Sequence, residues 1–235
     1  MNSVSSSNHQ SPKRILAIVA HADDETLGIG GTLARHSSLG DSVFVASFTD
    51  GVGARNADLN AKQLRQKNAL LAAEIVGFSW AAHYDFPDNR MDTVPLLEIV
   101  QKIEELKERL TPDIVYLHSS ADLNIDHQVM YRACITAFRP LPGECWEELR
   151  AFEIPSATDF AANLLPSSFQ PNLYVNIKPN WEMKVCALST YQDEMRPFPH
   201  SRSLRGLRIL AEKRGTEAGI ELAEAFQVIR RVERS

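Results

Sequence analysis

Residues 14–20 (RILAIVA) form an unbroken apolar run, the pattern of a strand covered on both faces in a parallel sheet. Helical spacing follows over 26–38 and ends at Leu39-Gly40-Asp41. A second apolar run at 43–49 (VFVASFT) predicts a second strand. After the loop Asp50-Gly51-Val52-Gly53, the spacing predicts a helix over 57–76 closed by Gly77. A short strand is expected at 83–86, then the loop Pro87-Asp88-Asn89-Arg90 and a helix over 94–110 that stops before Thr111-Pro112. Residues 113–117 (DIVYL) predict a fourth strand, and 128–138 a helix ended by the turn at 140–143.

Beyond this point the alternation loosens. Strands are expected at 149–154 and 173–177 around an irregular proline-bearing stretch, and helices at 181–191 and 202–214, while 223–230 reads equally as strand or helix. Strands alternating with helices imply an α/β fold, a single-domain Rossmann-like three-layer sandwich with a mostly parallel sheet. In the strand order 3-2-1-4, strands 1 and 4 are neighbours, and the crevice outside their carboxyl ends is where ligands bind. The 235-residue length suits one domain over 13–235 behind a polar, serine-rich tail at 1–12.

Charge removes whole classes of partner. With 25 basic and 30 acidic residues and no long single-sign block, the chain lacks the footprint of a nucleic-acid binder, and a small molecule is the expected partner. No run is long enough to span a bilayer, and the tail lacks the apolar core of a signal peptide, so a cytoplasmic location is expected. Cys134, Cys145 and Cys186 are too scattered for a disulfide framework or a metal knuckle.

The chemistry lies at two strand ends. His21, Asp23, Asp24 and Glu25 crowd the end of the first strand, and His118, Asp122, Asn124, Asp126 and His127 follow the fourth. Carboxylates crowded at a buried position need a cation to relieve them. A catalytic zinc takes three His or carboxylate ligands and keeps one position open, a set that His21, Asp24 and His127 would supply, with Asp23 placed to take a proton. Asp24 and Glu25 also suit the first turn of a helix, the main reading for Glu25. Asp126 reads either as the carboxylate that orients His127 or as the N-cap of the helix beginning there. Gly28, Gly30 and Gly31 follow the acidic cluster, so they read as close helix-to-sheet packing and not as a phosphate cradle. His9 and His36 read as surface residues, and His83 as a strand-end residue.

AHADDETLGIGG, residues 20–31, closely resembles the AHPDDE motif of the PIG-L/LmbE-like zinc-dependent N-acetylglucosamine deacetylases, and Asp126-His127 resembles that family's second metal-binding motif. Thr49-Asp50-Gly51, FPDNRMD at 86–92, AFRP at 137–140 and AEAF at 223–226 are weaker landmarks. The resemblance implies His21, Asp24 and His127 as ligands of one Zn2+ per chain, with Fe2+ or another divalent ion as a substitute, and Asp23 as general base. It implies a hydrolase that removes the acetyl group from an N-acetylated amino sugar on a nucleotide, lipid or glycoside carrier by means of zinc-activated water. Arg65, Asp88 and Arg90 are the substrate-binding candidates, with Asp88 and Arg90 reading equally as a solvated turn; a homo-oligomer is compatible with the chain.

Two positions depart from the family pattern. Ala22 stands where proline is usual, which loosens the turn and leaves the chemistry intact. Asn124 stands where many relatives carry a histidine, and an amide donates a hydrogen bond but carries no proton. His118 and His200 are the first candidates to replace it, ahead of Arg65 and Arg90. Asn68 also stands where a glutamate commonly follows the residue equivalent to Arg65. A non-catalytic sugar- or nucleotide-binding module, and a metal-dependent phosphoesterase, are the competing readings.

Overall fold

The computed structural model describes residues 11–49, 51, 59–161 and 168–234. Most of the expected tail, His9, Asp50 with the loop after Gly51, and the first residues of the helix expected from 57 lie outside the described residues. A seven-stranded sheet runs in the order β3-β2-β1-β4-β5-β7-β6, with β1 (Arg14–Val19), β2 (Ser42–Thr49), β3 (Ser79–Phe86), β4 (Ile114–His118), β5 (Glu148–Phe152), β6 (Leu173–Asn176) and β7 (Ala223–Arg231). The first five pair in parallel; β7 runs antiparallel to both β5 and β6.

β1 shows why the run at its core is apolar throughout. Ile15, Ala17 and Val19 enter the core under α1 (Asp24–Ser38), α2 (Leu59–Val76) and α5 (Trp181–Leu188), while Leu16, Ile18 and Ala20 enter the core under α3 (Leu96–Leu110) and α4 (Ile125–Ala137). Both faces of the strand are covered, so neither tolerates a polar side chain. A third cluster, including Leu27, Trp181 and Leu207, seats α6 (Leu204–Ala218) beside α1 and α5. These are the three layers expected, and β1 and β4 are adjacent.

Element boundaries moved where tertiary contacts override periodicity. α1 starts at Asp24 and α4 at Ile125, earlier than the apolar spacing indicates, which puts Asp24 and His127 inside first helical turns. β3 begins at Ser79, so His83 lies inside it, hydrogen-bonded to Ser47 Oγ at 2.7 Å, and is not a strand-end residue. The helix expected over 181–191 ends at Leu188 and continues as a 3-10 segment over Ser189–Glu194. The final element is a strand, because it fills the sheet position between β5 and β6.

His36 corrects the surface expectation. It is buried, with Nδ1 2.6 Å from Asp41 and Nε2 2.9 Å from the Tyr116 hydroxyl. The glycines pack as expected: a Cβ at Gly28 would stand 2.7 Å from the Phe152 ring, and one at Gly31 2.8 Å from Ile177. No helix among the described residues is long and apolar enough to cross a membrane.

Candidate metal centre

The two polar clusters meet at the β1/β4 crevice. His118, the last residue of β4, accepts the Ala20 amide through Nε2 at 2.9 Å and so pegs the end of β1 against its neighbour. The chain then turns at His21, and α1 opens on Asp24. From the other side, α4 opens with Asn124 as its N-cap, whose side chain accepts the Asp126 amide at 2.8 Å and the His127 amide at 3.4 Å. That cap turns His127 inward on the first turn.

Three donor atoms converge there. His21 Nδ1 lies 3.1 Å from Asp24 Oδ2 and 3.2 Å from His127 Nε2, and His127 Nε2 lies 3.2 Å from Asp24 Oδ2. Zinc with nitrogen and oxygen ligands at their usual bond lengths has ligand-to-ligand edges of roughly 3.3 Å in a tetrahedral site. The triangle is therefore of a size to fit such an ion, and all three residues are buried. Among the described residues, Asp24 Oδ1 is buried without a hydrogen-bond partner.

The outer nitrogens of both imidazoles face carboxylates. His127 Nδ1 lies 2.9 Å from Asp122, while His21 Nε2 lies 3.2 Å from both Asp126 and Asp88. Such partners fix the tautomer and ring orientation of a metal-binding histidine. Asp126 therefore serves neither of the two expected roles: it faces His21 and not His127, and the N-cap is Asn124. Its carboxylate also accepts the amides of Asn89 at 2.6 Å and Met91 at 3.0 Å, which ties the loop after β3 to the site. Asp122, unassigned in the sequence analysis, takes the position beside His127.

Charge follows the geometry. Burial opposes a charge on His21, but Asp24 and the carboxylates beyond it outweigh that cost and hold the imidazole well above its usual pKa. For His127 burial is likewise outweighed by Asp24 and Asp122, which raise it to about 9. Burial would push Asp24 up, yet the two imidazoles hold it well below the usual carboxylate range. His118 goes the other way, since burial and the adjacent His127 keep it well below its usual value. Its ring stacks on His127 at 3.8 Å between centroids. The direction of its pKa shift runs against the protonated helper expected in place of a histidine at 124.

Asp23 stands beside the triangle on strained backbone, at φ 154° and ψ −25°, a conformation that costs an L-residue roughly 1–3 kcal/mol. Its amide donates to Glu25 Oε2 at 2.9 Å. Its carboxylate lies 3.2 Å from Arg65 Nη2 and 3.5 Å from Arg202 Nη1, and both arginines also approach Glu194, at 2.8 and 3.6 Å. Burial raises the pKa of Asp23, and Arg65 and Arg202 offset this in part, leaving it above the usual value. Glu25 does more than start a helix: it is fully buried, accepts the Tyr191 hydroxyl at 2.9 Å, and is raised by burial to about 7.

Arg65 thus leaves the wet helix face on which its neighbours lie and joins the site. Gly51, at φ +65°, permits the approach, because a Cβ there would stand 2.6 Å from Arg65 Nε. Asp88 is buried against His21, whereas Arg90 is exposed. His200 accepts the Arg202 amide through Nδ1 at 3.0 Å, one step removed from Asp23. Tyr191, Glu194 and Arg202, none of them a site candidate from the sequence, come from a 3-10 segment and the loop after it. Only the tertiary fold brings them to Asp23 and Glu25.

Residues 16–138 match the family described as PIG-L: GlcNAc-PI de-N-acetylase. An uncharacterised deacetylase of Escherichia coli (strain K12), YaiS, is 28% identical over 186 residues, covering 77% of this chain and 91% of its own. The structure of N,N'-diacetylchitobiose deacetylase from Pyrococcus horikoshii superposes with a TM-score of 0.72 at 20% identity, over 92% of this chain and 84% of that one. GalB, a 4-carboxy-2-hydroxymuconate hydratase from Pseudomonas putida KT2440, also superposes with a TM-score of 0.72, at 22% identity over 95% and 99% of the two chains. At those identities the structural likeness establishes the fold, and reaction type has to be argued from the site.

Proposed function

The chain belongs to the PIG-L family, and on that premise we propose that it is a metal-dependent hydrolase that removes the acetyl group from an N-acetylated amino sugar. The reading rests on the convergence of His21 Nδ1, Asp24 Oδ2 and His127 Nε2 within 3.2 Å of one another, beside the Asp23 carboxylate.

Those three atoms would hold one divalent cation, zinc in this reading. When bound, such an ion polarises a carbonyl oxygen and lowers the pKa of water to about 7. Asp122 and Asp126 keep the two imidazoles in the tautomers that present these nitrogens. Asp23 accepts the proton released by the attacking water and returns it to the departing amine, so that acetate and a free amino sugar leave. Arg65 and Arg202 hold the Asp23 carboxylate in place. Asn124 takes no part in proton transfer, because its oxygen caps α4 and its amide nitrogen donates to Asn89 at 3.2 Å. In the same reading the substrate is a small molecule.

Acetate release from N-acetylglucosamine, N,N'-diacetylchitobiose and a lipid-linked N-acetylglucosamine, measured on zinc-loaded protein of known metal content, tests the proposal. Turnover with one metal per chain, abolished by removal of the metal, is expected. Absence of turnover on every acetamide sugar by metal-loaded protein overturns it.

A further inference from the structure

Helix α1 carries Asp24 on its first turn and then leaves helical geometry at Ile29, with φ −134° and ψ 15°. In an uninterrupted helix the Leu27 carbonyl would accept from the Gly31 amide, and the Gly28 carbonyl from Thr32. Here three of these four groups find partners in two side chains from elsewhere. Lys184 Nζ, on α5, donates to the Leu27 carbonyl at 2.9 Å. Glu224, on β7, accepts the Gly31 amide through Oε1 at 2.9 Å and the Thr32 amide through Oε2 at 2.7 Å. Lys184 and Glu224 themselves pair at 2.6 Å, each with about 5% of its side chain exposed. An ion pair is thus spliced into the break.

Burial of an ion pair seldom stabilises a fold more than well-packed apolar residues of the same volume would. This pair needs another justification, and its contacts supply one. The Leu27 amide donates to the Asp23 carbonyl at 2.8 Å, so a hydrogen-bonded path runs from Lys184 through Leu27 to the backbone of Asp23. The small residues of the GIGG stretch let the pair in. A Cβ at Gly30 would stand 3.4 Å from Lys184 Cγ, and one at Gly31 would stand 3.2 Å from Glu224 Oε1.

We propose that Lys184 and Glu224 are positioning residues for the metal centre. By holding α1 open at Ile29 they set the direction of its first turn independently of the remaining helix, and so keep Asp24 Oδ2 within reach of both imidazole nitrogens. The proposal rests on the reading of His21, Asp24 and His127 as a metal site. With both side chains made apolar, the Leu27-to-Gly31 and Gly28-to-Thr32 bonds can close, the first turn swings with the helix, and Asp24 leaves its place.

The test titrates full-length protein with Zn2+ against a competing chromophoric chelator, and records the visible spectrum of the Co2+ form. It compares wild type, His127→Ala, the double variant Lys184→Leu/Glu224→Leu and the single variant Lys184→Met. The double variant is expected to melt cooperatively near the wild-type temperature, bind Zn2+ about tenfold or more weakly and show an altered Co2+ spectrum. Affinity within twofold of wild type with an unchanged spectrum overturns the proposal. If the double variant does not fold, Lys184→Met decides: a several-fold weaker affinity in a cooperatively melting protein supports the proposal, and an unchanged affinity overturns it. Equal Zn2+ binding by wild type and His127→Ala would sink the metal reading itself, and the proposal with it.

Discussion

His21 Nδ1 and His127 Nε2, 106 residues apart in the chain, face one another across 3.2 Å. Without a metal, the Asp24 carboxylate between them favours the protonated form of each imidazole, raising His127 to about 9 and His21 well above its usual value. A metal ligand must be deprotonated, so binding a cation expels those protons. Zinc titrations near pH 7, run calorimetrically in buffers of different ionisation enthalpy, should report release of up to about two protons per ion. Affinity should climb with pH until His127 titrates at about 9. A buffer-independent binding enthalpy would contradict this charge arrangement.

The same groups set the stability of the metal-free protein. A histidine whose pKa is raised on folding stabilises fully below its unfolded value of about 6.5, and that contribution is lost as pH rises through the folded value. For His127 the window runs from about 6.5 to about 9, and His21 acts in the same direction. Glu25, raised to about 7 by burial, adds a loss between its unfolded pKa of about 4.3 and that value. Asp24 is depressed, so its contribution disappears only as pH falls below the ordinary carboxylate range. In chelator, the melting temperature should therefore decline from pH 6 to pH 10, whereas metal-loaded protein should resist that decline. Equal slopes with and without metal would show that these residues do not carry the linkage.

Asp23 can be separated from the ligands by substitution. Asp23→Asn keeps the side-chain shape, and asparagine tolerates positive φ better than most residues. It cannot accept a proton, so turnover should fall by a factor on the order of 10²–10⁴. Zinc content should stay at the wild-type value, because Asp23 contacts Arg65 and Arg202 and supplies no donor to the triangle. Metal loss in this variant would move Asp23 into the ligand set; full activity would remove it as base.

What the sequence discloses and what it hides divide along physical lines. The strand order and the meeting of His21, Asp24 and His127 were legible because buried parallel strands write continuous apolar runs, and polar residues at the ends of two such runs must share the crevice if the strands are neighbours. The roles of Asp122 and Asp126 were not legible. Both lie within the same short cluster, and only the turn taken at Asn124 decides which imidazole each one meets. Tyr191, Glu194 and Arg202 were hidden because the helices expected over 181–191 and 202–214 give way there to a 3-10 segment and a loop, whose inward side chains follow no helical period. His36 was misread for a related reason: polar neighbours at a helix end resemble a surface, although Tyr116 and Asp41 enclose its ring.

Asn124 offers the sharpest test of how far the family pattern extends. Histidine at this position would supply a proton carrier, but the position here has structural work. Asn124 Oδ1 accepts two amides at the start of α4, and its Nδ2 reaches Asn89. Histidine is a poor substitute for an N-cap side chain, and loss of such a cap costs about 1 kcal/mol. The cap also orients the first turn that carries His127. Asn124→His should therefore lower the melting temperature and weaken zinc binding without raising turnover, whereas Asn124→Asp, which retains a capping oxygen, should keep wild-type zinc affinity. Thermal melts and zinc titrations of the two variants provide the comparison. If Asn124→His proved more active at undiminished stability, position 124 would be a dormant proton-transfer site, and the cap assigned to it would be incidental.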